Sequence, residues 1–153
     1  SARQLSVRLH GSEVGTLVST RRGARFAYAD DIIEDNLGQP IISLSLPVKR
    51  RPYAEGLTGA WFRGLLPEGD RLTGICHVIG CSESDYPTIL SRIGWECAGA
   101  VSICPPSFRE PQPTPAQPLT DSELAEKLCK LPAYGGIDPT ARVSLGGFQE
   151  KLR

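Results

Sequence analysis

The chain has 153 residues, 40% of them apolar and 22% charged, and its 17 basic residues balance its 17 acidic ones. This length favours one domain with a modest core, and a neutral chain gives no electrostatic reason to expect autonomous nucleic-acid binding. No apolar run approaches the length that spans a bilayer, and no signal-peptide pattern opens the sequence. We therefore expect a soluble, cytoplasmic protein without membrane contact.

The first thirty residues predict short antiparallel strands. Apolar residues alternate with polar ones from Leu5 to Leu9, and a second strand over residues 14–18 follows a glycine turn, which is typical of a hairpin. A third strand is predicted over residues 25–28, and residues 29–38 are acidic, with one helical turn around Ile32 and Ile33. This spacing favours a meander over a parallel sheet.

The stretch from Ile41 to Arg71 is predicted to be the centre on which the neighbouring elements pack. Ile42, Leu44 and Leu46 alternate with Ser43 and Ser45, which predicts a half-buried strand over 41–46 that Pro47 ends. Apolar spacing from Leu57 to Leu66 predicts a short amphipathic helix. We expect four apolar side chains of this stretch to be buried together: Leu44, Leu46, Trp61 and Leu65.

Two more helices are predicted over residues 72–79 and 86–93, and each is followed by a glycine. Gly80 ends the first helix, and Gly94 stands where a left-handed cap is expected for the second. The acidic residues of LPEGD at 66–70 are read as a helix start, where carboxylates favour the positive end of the dipole, and not as a catalytic motif. A short strand over 100–104 then closes the sheet.

The cysteines give little support to a metal or disulfide framework. They stand at 76, 81, 97, 104 and 129, an odd number without C-x-x-C spacing. Cys76, His77 and Cys81 are close in sequence, but Cys76 falls on an apolar helical stripe. A small core residue is therefore favoured there over a metal ligand.

Residues 105–118 contain six prolines and few apolar residues, which predicts a linker or an extended surface crossing without regular structure. Thr120 and Glu123 then form a capping box, and Leu119 and Leu124 occupy the two positions of a hydrophobic staple. A helix is therefore predicted to begin here and to end before Pro132. Residues 141–151 predict a strand, a glycine turn and the start of another strand.

The segment from Val143 to Lys151 is the one stretch with a plausible chemical role. Adjacent Gly146 and Gly147 let backbone N–H groups approach phosphate oxygens, while Ser144 offers a hydroxyl and Lys151 a positive charge. The segment matches neither G-x-x-x-x-G-K-[ST] nor G-x-G-x-x-G. Taken alone, a Gly-Gly pair is more often a hairpin turn than a nucleotide loop.

Four motifs together resemble the N-terminal part of HipA-type kinase toxins. They occur in the family's order: SLSLP at 43–47, LLPEGDR at 65–71, IGWECAGAV at 93–101 and SLGGFQEKL at 144–152. The resemblance covers nearly the whole chain, which stops where the family's catalytic region would begin. It implies a serine/threonine protein kinase of a type II toxin–antitoxin system. The family arrests growth by phosphorylating a translation factor, typically glutamyl-tRNA synthetase, which leads to persistence.

The resemblance also implies roles for residues in the glycine segment. It makes Ser144 the serine that autophosphorylation modifies, and it implies an ATP-covering loop made of Gly146, Gly147, Phe148, Gln149, Glu150 and Lys151. Phe148 departs from the family pattern, because small residues are common there. The family's catalytic aspartate and magnesium ligands would lie beyond position 153, so no catalytic residue is assigned here. ATP and magnesium are expected for the complete kinase, and neither for this chain alone.

The implied partners are the rest of the kinase chain and a helix-turn-helix antitoxin that sits on operator DNA. The basic residues Lys49, Arg50 and Arg51, with Arg21 and Arg22, could form a patch for a minor contact with that DNA. Solvated loops are favoured over such a patch.

We therefore expect an α+β fold in which a small, curved antiparallel sheet or partial barrel packs against helices. The predicted divisions are an N-terminal subdomain (1–104), a linker (105–118), and a helix plus glycine loop that starts the kinase core (119–153). The alternative is a stand-alone, non-catalytic binding module that restrains a separate HipA-like kinase. Residues 1–104 would suffice for that role.

Overall fold

The computed structural model describes residues 4–96, 100–109 and 118–130. Its sheet has the order β3-β2-β1-β4, with every neighbouring pair antiparallel. The strands are β1 (Gln4–Leu9), β2 (Ser12–Thr20), β3 (Gly23–Tyr28) and β4 (Val101–Cys104). The helices are α1 (Asp30–Asn36), α2 (Glu55–Arg63), α3 (Asp70–Ile79), α4 (Tyr86–Ile93) and α5 (Asp121–Lys130). The predicted α+β class is confirmed, and the sheet is open.

One face of the sheet forms the core. Leu17 lies opposite both Leu5 and Phe26, and Val7 lies opposite Ile103, so alternate residues of all four strands share this face. All of these side chains are fully or almost fully buried. Helix α2 packs against β3 and α4 packs against β4, which covers the apolar face. The alternating pattern of the sequence therefore predicted the buried face correctly.

Aromatic side chains join β3 to α2. The ring centroid of Phe26 lies 4.7 Å from that of Tyr28, 5.5 Å from that of Phe62 and 6.3 Å from that of Tyr53. All four rings are buried. Aromatic pairs at these separations add about 0.5–1.5 kcal/mol beyond the area they bury. Phe26 therefore lies at the centre of the aromatic contact between β3 and α2.

The predicted strand at 41–46 is wrong. Ser43 turns the chain, because its Oγ accepts a hydrogen bond from the Ser45 amide at 3.2 Å and its carbonyl accepts one from the Leu46 amide at 3.1 Å. Serine favours such local turns, and alternating serines mimic the period of a strand. Leu44 is consequently 88% exposed and Leu46 fully buried. Trp61 and Leu65 are half-buried against the core.

A strap, which we define as residues 46–53, replaces that strand beside β3. The Tyr28 hydroxyl donates to the Leu46 carbonyl at 2.5 Å, and the Tyr53 hydroxyl donates to the Pro47 carbonyl. The Tyr53 amide donates to the Phe26 carbonyl at 2.7 Å, which is an isolated antiparallel bridge. The strap thus pairs with the edge of the sheet without forming a continuous ladder.

The helix boundaries differ from prediction at several points. α1 is a helix of seven residues instead of a single turn, and α2 runs from Glu55 to Arg63 instead of from 57 to 66. Gly80 ends α3 in the left-handed region (φ 74°), as predicted. Gly94 has φ −69°, so the predicted left-handed cap is wrong there. A glycine is instead required at position 94 by tertiary packing, since an added Cβ would lie 2.7 Å from the Ile103 carbonyl oxygen.

The predicted capping box at α5 is confirmed. The Glu123 amide donates to Thr120 Oγ1 at 3.3 Å, and the Thr120 amide donates to Glu123 Oε2 at 2.9 Å. Leu119 and Leu124, the predicted staple, are 40% and 39% exposed. Residues 110–117 of the predicted linker, and the predicted strand–turn–strand at 141–151, lie outside the described residues.

The core position of Leu46 can be tested against the exposed position of Leu44. Leu46→Ala should lower the free energy of unfolding by about 2–5 kcal/mol, because it leaves a cavity beneath the strap. Leu44→Ala removes the same atoms from an 88% exposed position and should change it by less than about 0.5 kcal/mol. Urea denaturation measures both. Equal losses of unfolding free energy for the two variants would contradict the buried position of Leu46 and the exposed position of Leu44.

Candidate interaction surface

The sequence-predicted nucleotide segment lies outside the described residues. This holds for Ser144 and for all six predicted ATP-binding residues: Gly146, Gly147, Phe148, Gln149, Glu150 and Lys151. Their roles therefore stay predictions. The described part of the chain instead presents recesses, of which two are described below, and several exposed apolar side chains.

The first recess lies at the turn between β2 and β3, where it meets the start of α2. It has a volume of about 430 Å³ and is lined by Thr20, Arg21, Arg22, Arg25 and Glu55. Arg25 Nε donates to Glu55 Oε1 at 3.0 Å, and the Arg22 amide donates to Thr20 Oγ1 at 3.2 Å. Three guanidinium groups around one carboxylate give the recess a positive balance, which suits an anionic group of a partner.

Glu55 is held in its ionised form. Its own backbone N–H lowers the pKa of the carboxyl group most, and the charge and hydrogen bond of Arg25 lower it further. Glu55 is the first residue of α2, where an acidic side chain also favours the positive end of the helix dipole. The carboxylate therefore fixes one guanidinium, while Arg21 and Arg22 extend from the turn itself.

The two basic runs of the sequence do not form one patch. The antiparallel bridge between Phe26 and Tyr53 puts Arg51 beside the Tyr28 end of β3, whereas Arg22 precedes the Gly23 end. A strand of six residues separates these ends by roughly 17 Å at 3.3 Å per residue. Lys49 in addition makes a cation–π contact with Tyr53, since Lys49 Nζ lies 3.6 Å from the centroid of the Tyr53 ring.

The second recess lies on the other face of the sheet, with a volume of about 230 Å³. It is lined by Arg8, Gly11, Trp95, Ser102, Cys104 and Phe108. The rings of Trp95 and Phe108 lie 5.5 Å apart, so the segment after β4 packs over this face. Burial raises the pKa of the Cys104 thiol, and the Arg8 charge opposes that shift. Sequence reasoning missed this recess, because Phe108 stands alone among prolines and gives no periodic signal.

Exposed apolar side chains mark further surface for contacts. Leu57 is 56% exposed on α2, and Trp61 lies four residues later on the same helix face, half-buried. Leu37, Leu44 and Val78 are also more than half exposed. The predicted helical stripe included Leu57 and Phe62, but only Phe62 of these two is buried, together with Thr58 and Gly59.

Within residues 4–96, 100–109 and 118–130, no three His, Cys, Asp or Glu side chains are grouped so that they could hold a metal ion. No helix in that part of the chain is long and apolar enough to cross a membrane. Cys76 is buried on α3, as its apolar stripe predicted.

The sheet with its packed helices corresponds to a known family. The family described as "HipA N-terminal domain" matches residues 5–104, which are 100 of the 153 residues. The chain belongs to this family. The predicted HipA-type family is therefore confirmed, and three of the four motifs lie within the matched residues.

Similar proteins extend the comparison beyond residue 104. Two relatives from Sinorhizobium fredii, named "Putative kinase Y4mE" and "Putative kinase Y4dM", are 30% and 31% identical over 99% and 77% of this chain. A chain in the complex of HipA, HipB and operator DNA from Shewanella oneidensis MR-1 shares the fold, with a TM-score of 0.68 over 94% of this chain and 19% identity. The chain spans 38% and 30% of the two relatives, and 33% of that structure.

The lowered pKa of Glu55 predicts a pH-dependent contribution to stability. A carboxyl group whose pKa is lower in the folded state stabilises the fold above its unfolded pKa, and this stabilisation is lost as the pH falls through the folded pKa. Glu55→Gln should therefore lower the midpoint of urea unfolding at pH 7 and leave it unchanged in strong acid. Arg25→Gln should shrink the effect of Glu55→Gln at pH 7. A decrease in the midpoint of urea unfolding of Glu55→Gln that is the same at both pH values would contradict a stabilising role of the ionised Glu55 carboxylate.

Proposed function

We propose that this chain is the N-terminal subdomain of a HipA-type serine/threonine protein kinase toxin from a type II toxin–antitoxin system. The supporting observation is that 99% of the chain aligns with a kinase-named relative but spans only 38% of it. In this proposal the catalytic aspartate and the magnesium ligands belong to the remaining length. The substrate that the family resemblance favours is glutamyl-tRNA synthetase.

The glycine segment would form one wall of the nucleotide cleft. The backbone N–H groups of Gly146 and Gly147 would face phosphate oxygens, and Lys151 would add a positive charge. Phosphate on Ser144 would place close to two negative charges beside a site built for a polyphosphate, which would displace the loop. Among the described residues, no three His, Cys, Asp or Glu side chains are grouped so that they could hold a magnesium ion.

The partner surfaces would lie on the sheet–helix unit. The similar fold comes from a complex of HipA, HipB and operator DNA, which supports a helix-turn-helix antitoxin and a DNA context for this chain. The exposed Leu57 on α2 and the arginine-lined recess at the β2–β3 turn supply an apolar and a cationic contact. Any contact with the operator would then be a minor one with the DNA backbone.

A second candidate is a stand-alone binding module that restrains a separate HipA-like kinase. The family match ends at residue 104, where β4 completes the sheet by pairing with β1. This observation favours a unit that needs no further segment to complete its four-stranded sheet. The chain would then inhibit a separate HipA-like kinase when added in trans, whereas the kinase subdomain would have no such effect.

A nucleotide titration tests the proposed division of the kinase. ATP with magnesium should bind weakly or not at all to the 153-residue chain, because one wall of the cleft must be ordered without the groups that neutralise the phosphates. A longer protein that contains this chain should bind ATP and phosphorylate itself. Calorimetry and intact mass measure both results. Micromolar affinity, or phosphate on Ser144 in the 153-residue chain, would contradict the division.

Ser144→Ala in the longer protein distinguishes the proposed regulatory role of this serine from the ATP-binding role of the glycine loop. The variant should lose inhibitory self-phosphorylation and keep its ATP affinity. Ser122→Ala, which changes an exposed serine in α5, is the matched control and should alter neither. Unchanged self-phosphorylation in Ser144→Ala would show that the serine is wrongly assigned.

A further inference from the structure

The end of α3 brings two cysteines together. Gly80 is left-handed (φ 74°), and the amides of Gly80 and Cys81 both donate to the Cys76 carbonyl, at 2.8 and 3.1 Å. These bonds make Gly80 the C′ residue, so that Cys76 is C3 and Cys81 is C″. Side chains at C3 and C″ commonly touch across such a cap, and here both positions carry a thiol.

We propose that Cys76 and Cys81 are a site of reversible disulfide formation, with a small-molecule disulfide such as oxidised glutathione as the oxidant. Both thiols are free in the reduced chain. The cap brings the Cys81 backbone to the Cys76 carbonyl, and Cys81 is close enough to raise the pKa of the Cys76 thiol. The backbone cap sets this approach before any oxidation, since it depends on Gly80 and not on the thiols.

The two thiols differ in access, which sets the order of their reactions. Cys76 is 5% exposed, whereas Cys81 is only partly buried and can be reached from solvent. The pKa of the Cys76 thiol is raised to about 11, mainly by burial, with smaller contributions from the neighbouring Cys81, Glu83 and Asp85. Cys76 therefore stays protonated at neutral pH, and Cys81 is the thiol that first meets the oxidant.

The reaction proceeds by two thiol–disulfide exchanges. The Cys81 thiolate attacks one sulfur of oxidised glutathione, forms a mixed disulfide and releases one glutathione thiolate, which takes up the proton that Cys81 lost. Cys76 then loses its proton and attacks Cys81 Sγ. The second glutathione leaves as a thiolate and takes up that proton. Two cysteine thiols are oxidised to one disulfide, and one glutathione disulfide is reduced to two thiols.

The Cys76–Cys81 disulfide would add a covalent link between α3 and the start of the connection that leads to α4. Cys81 begins the connection to α4, whose N-cap Asp85 accepts a hydrogen bond from the Thr88 amide at 3.3 Å. Within the same connection, the Thr73 hydroxyl of α3 donates to Glu83 Oε1 at 2.6 Å. Oxidation would fix the start of this connection to α3. The oxidised chain should therefore unfold at a temperature a few degrees higher than the reduced chain.

Peptide mapping of the 153-residue chain tests the proposal. The chain is incubated with oxidised glutathione, blocked with N-ethylmaleimide and digested with trypsin. The tryptic peptide of residues 72–92 contains Cys76 and Cys81 and no other cysteine. It should become lighter by two hydrogens and take up no N-ethylmaleimide. Cys129, which is exposed on α5, should instead carry glutathione and reports that the oxidant was active.

Two variants separate the proposed roles. Cys76→Ser should retain glutathione on Cys81, because the second exchange has lost its nucleophile. Cys81→Ser should leave Cys76 reduced and remove the difference in unfolding temperature between the treated and untreated chains. The proposal is overturned if wild-type peptide 72–92 keeps two blocked thiols while Cys129 is glutathionylated. It is equally overturned if glutathione stays on Cys81 although Cys76 is present.

Discussion

The pairing of the 46–53 strap with β3 is the constraint on which the rest of the described fold depends. An edge strand leaves a row of backbone groups without partners, and here a segment without regular structure supplies a donor for one of them, the Phe26 carbonyl. The hydroxyls of Tyr28 and Tyr53 hold carbonyls of Leu46 and Pro47, while the Tyr53 amide bonds to Phe26. Because α2 begins two residues after Tyr53, this bridge also sets where the helix crosses the sheet.

Elements whose signals are local were predictable from the sequence. The alternation from Leu5 to Leu9, the left-handed Gly80 and the Thr120–Glu123 box each depend on neighbours within a few residues, and all three are observed. Two features were missed for different reasons. Ser43 makes a local turn in a segment whose alternating serines have the period of a strand, whereas Gly94 is required by the Ile103 carbonyl on a different element.

The functional surface also combines residues that a local sequence signal indicates with residues that only the fold brings together. The arginine-lined recess combines a local turn, Thr20 to Arg25, with Glu55, which α2 brings from thirty residues away, and no sequence pattern joins the two. By contrast, Cys76 and Cys81 flank a predictable glycine cap, so their approach could have been read from the sequence. The HipA-type assignment drew on motifs spread along the chain, and the family match over residues 5–104 confirms it. The nucleotide segment keeps its place in the proposed function through that resemblance.

Amide hydrogen exchange tests the central role of the strap most directly. The Tyr53 amide, bonded to Phe26, and the Val48 amide, which donates to the Gln39 carbonyl at 2.8 Å, should be protected about as strongly as amides in β1. Tyr28→Phe should lower this protection, because the Leu46 carbonyl then loses its donor. Exchange of the Tyr53 and Val48 amides at the rate of an unfolded peptide, while β1 stays protected, would contradict the account.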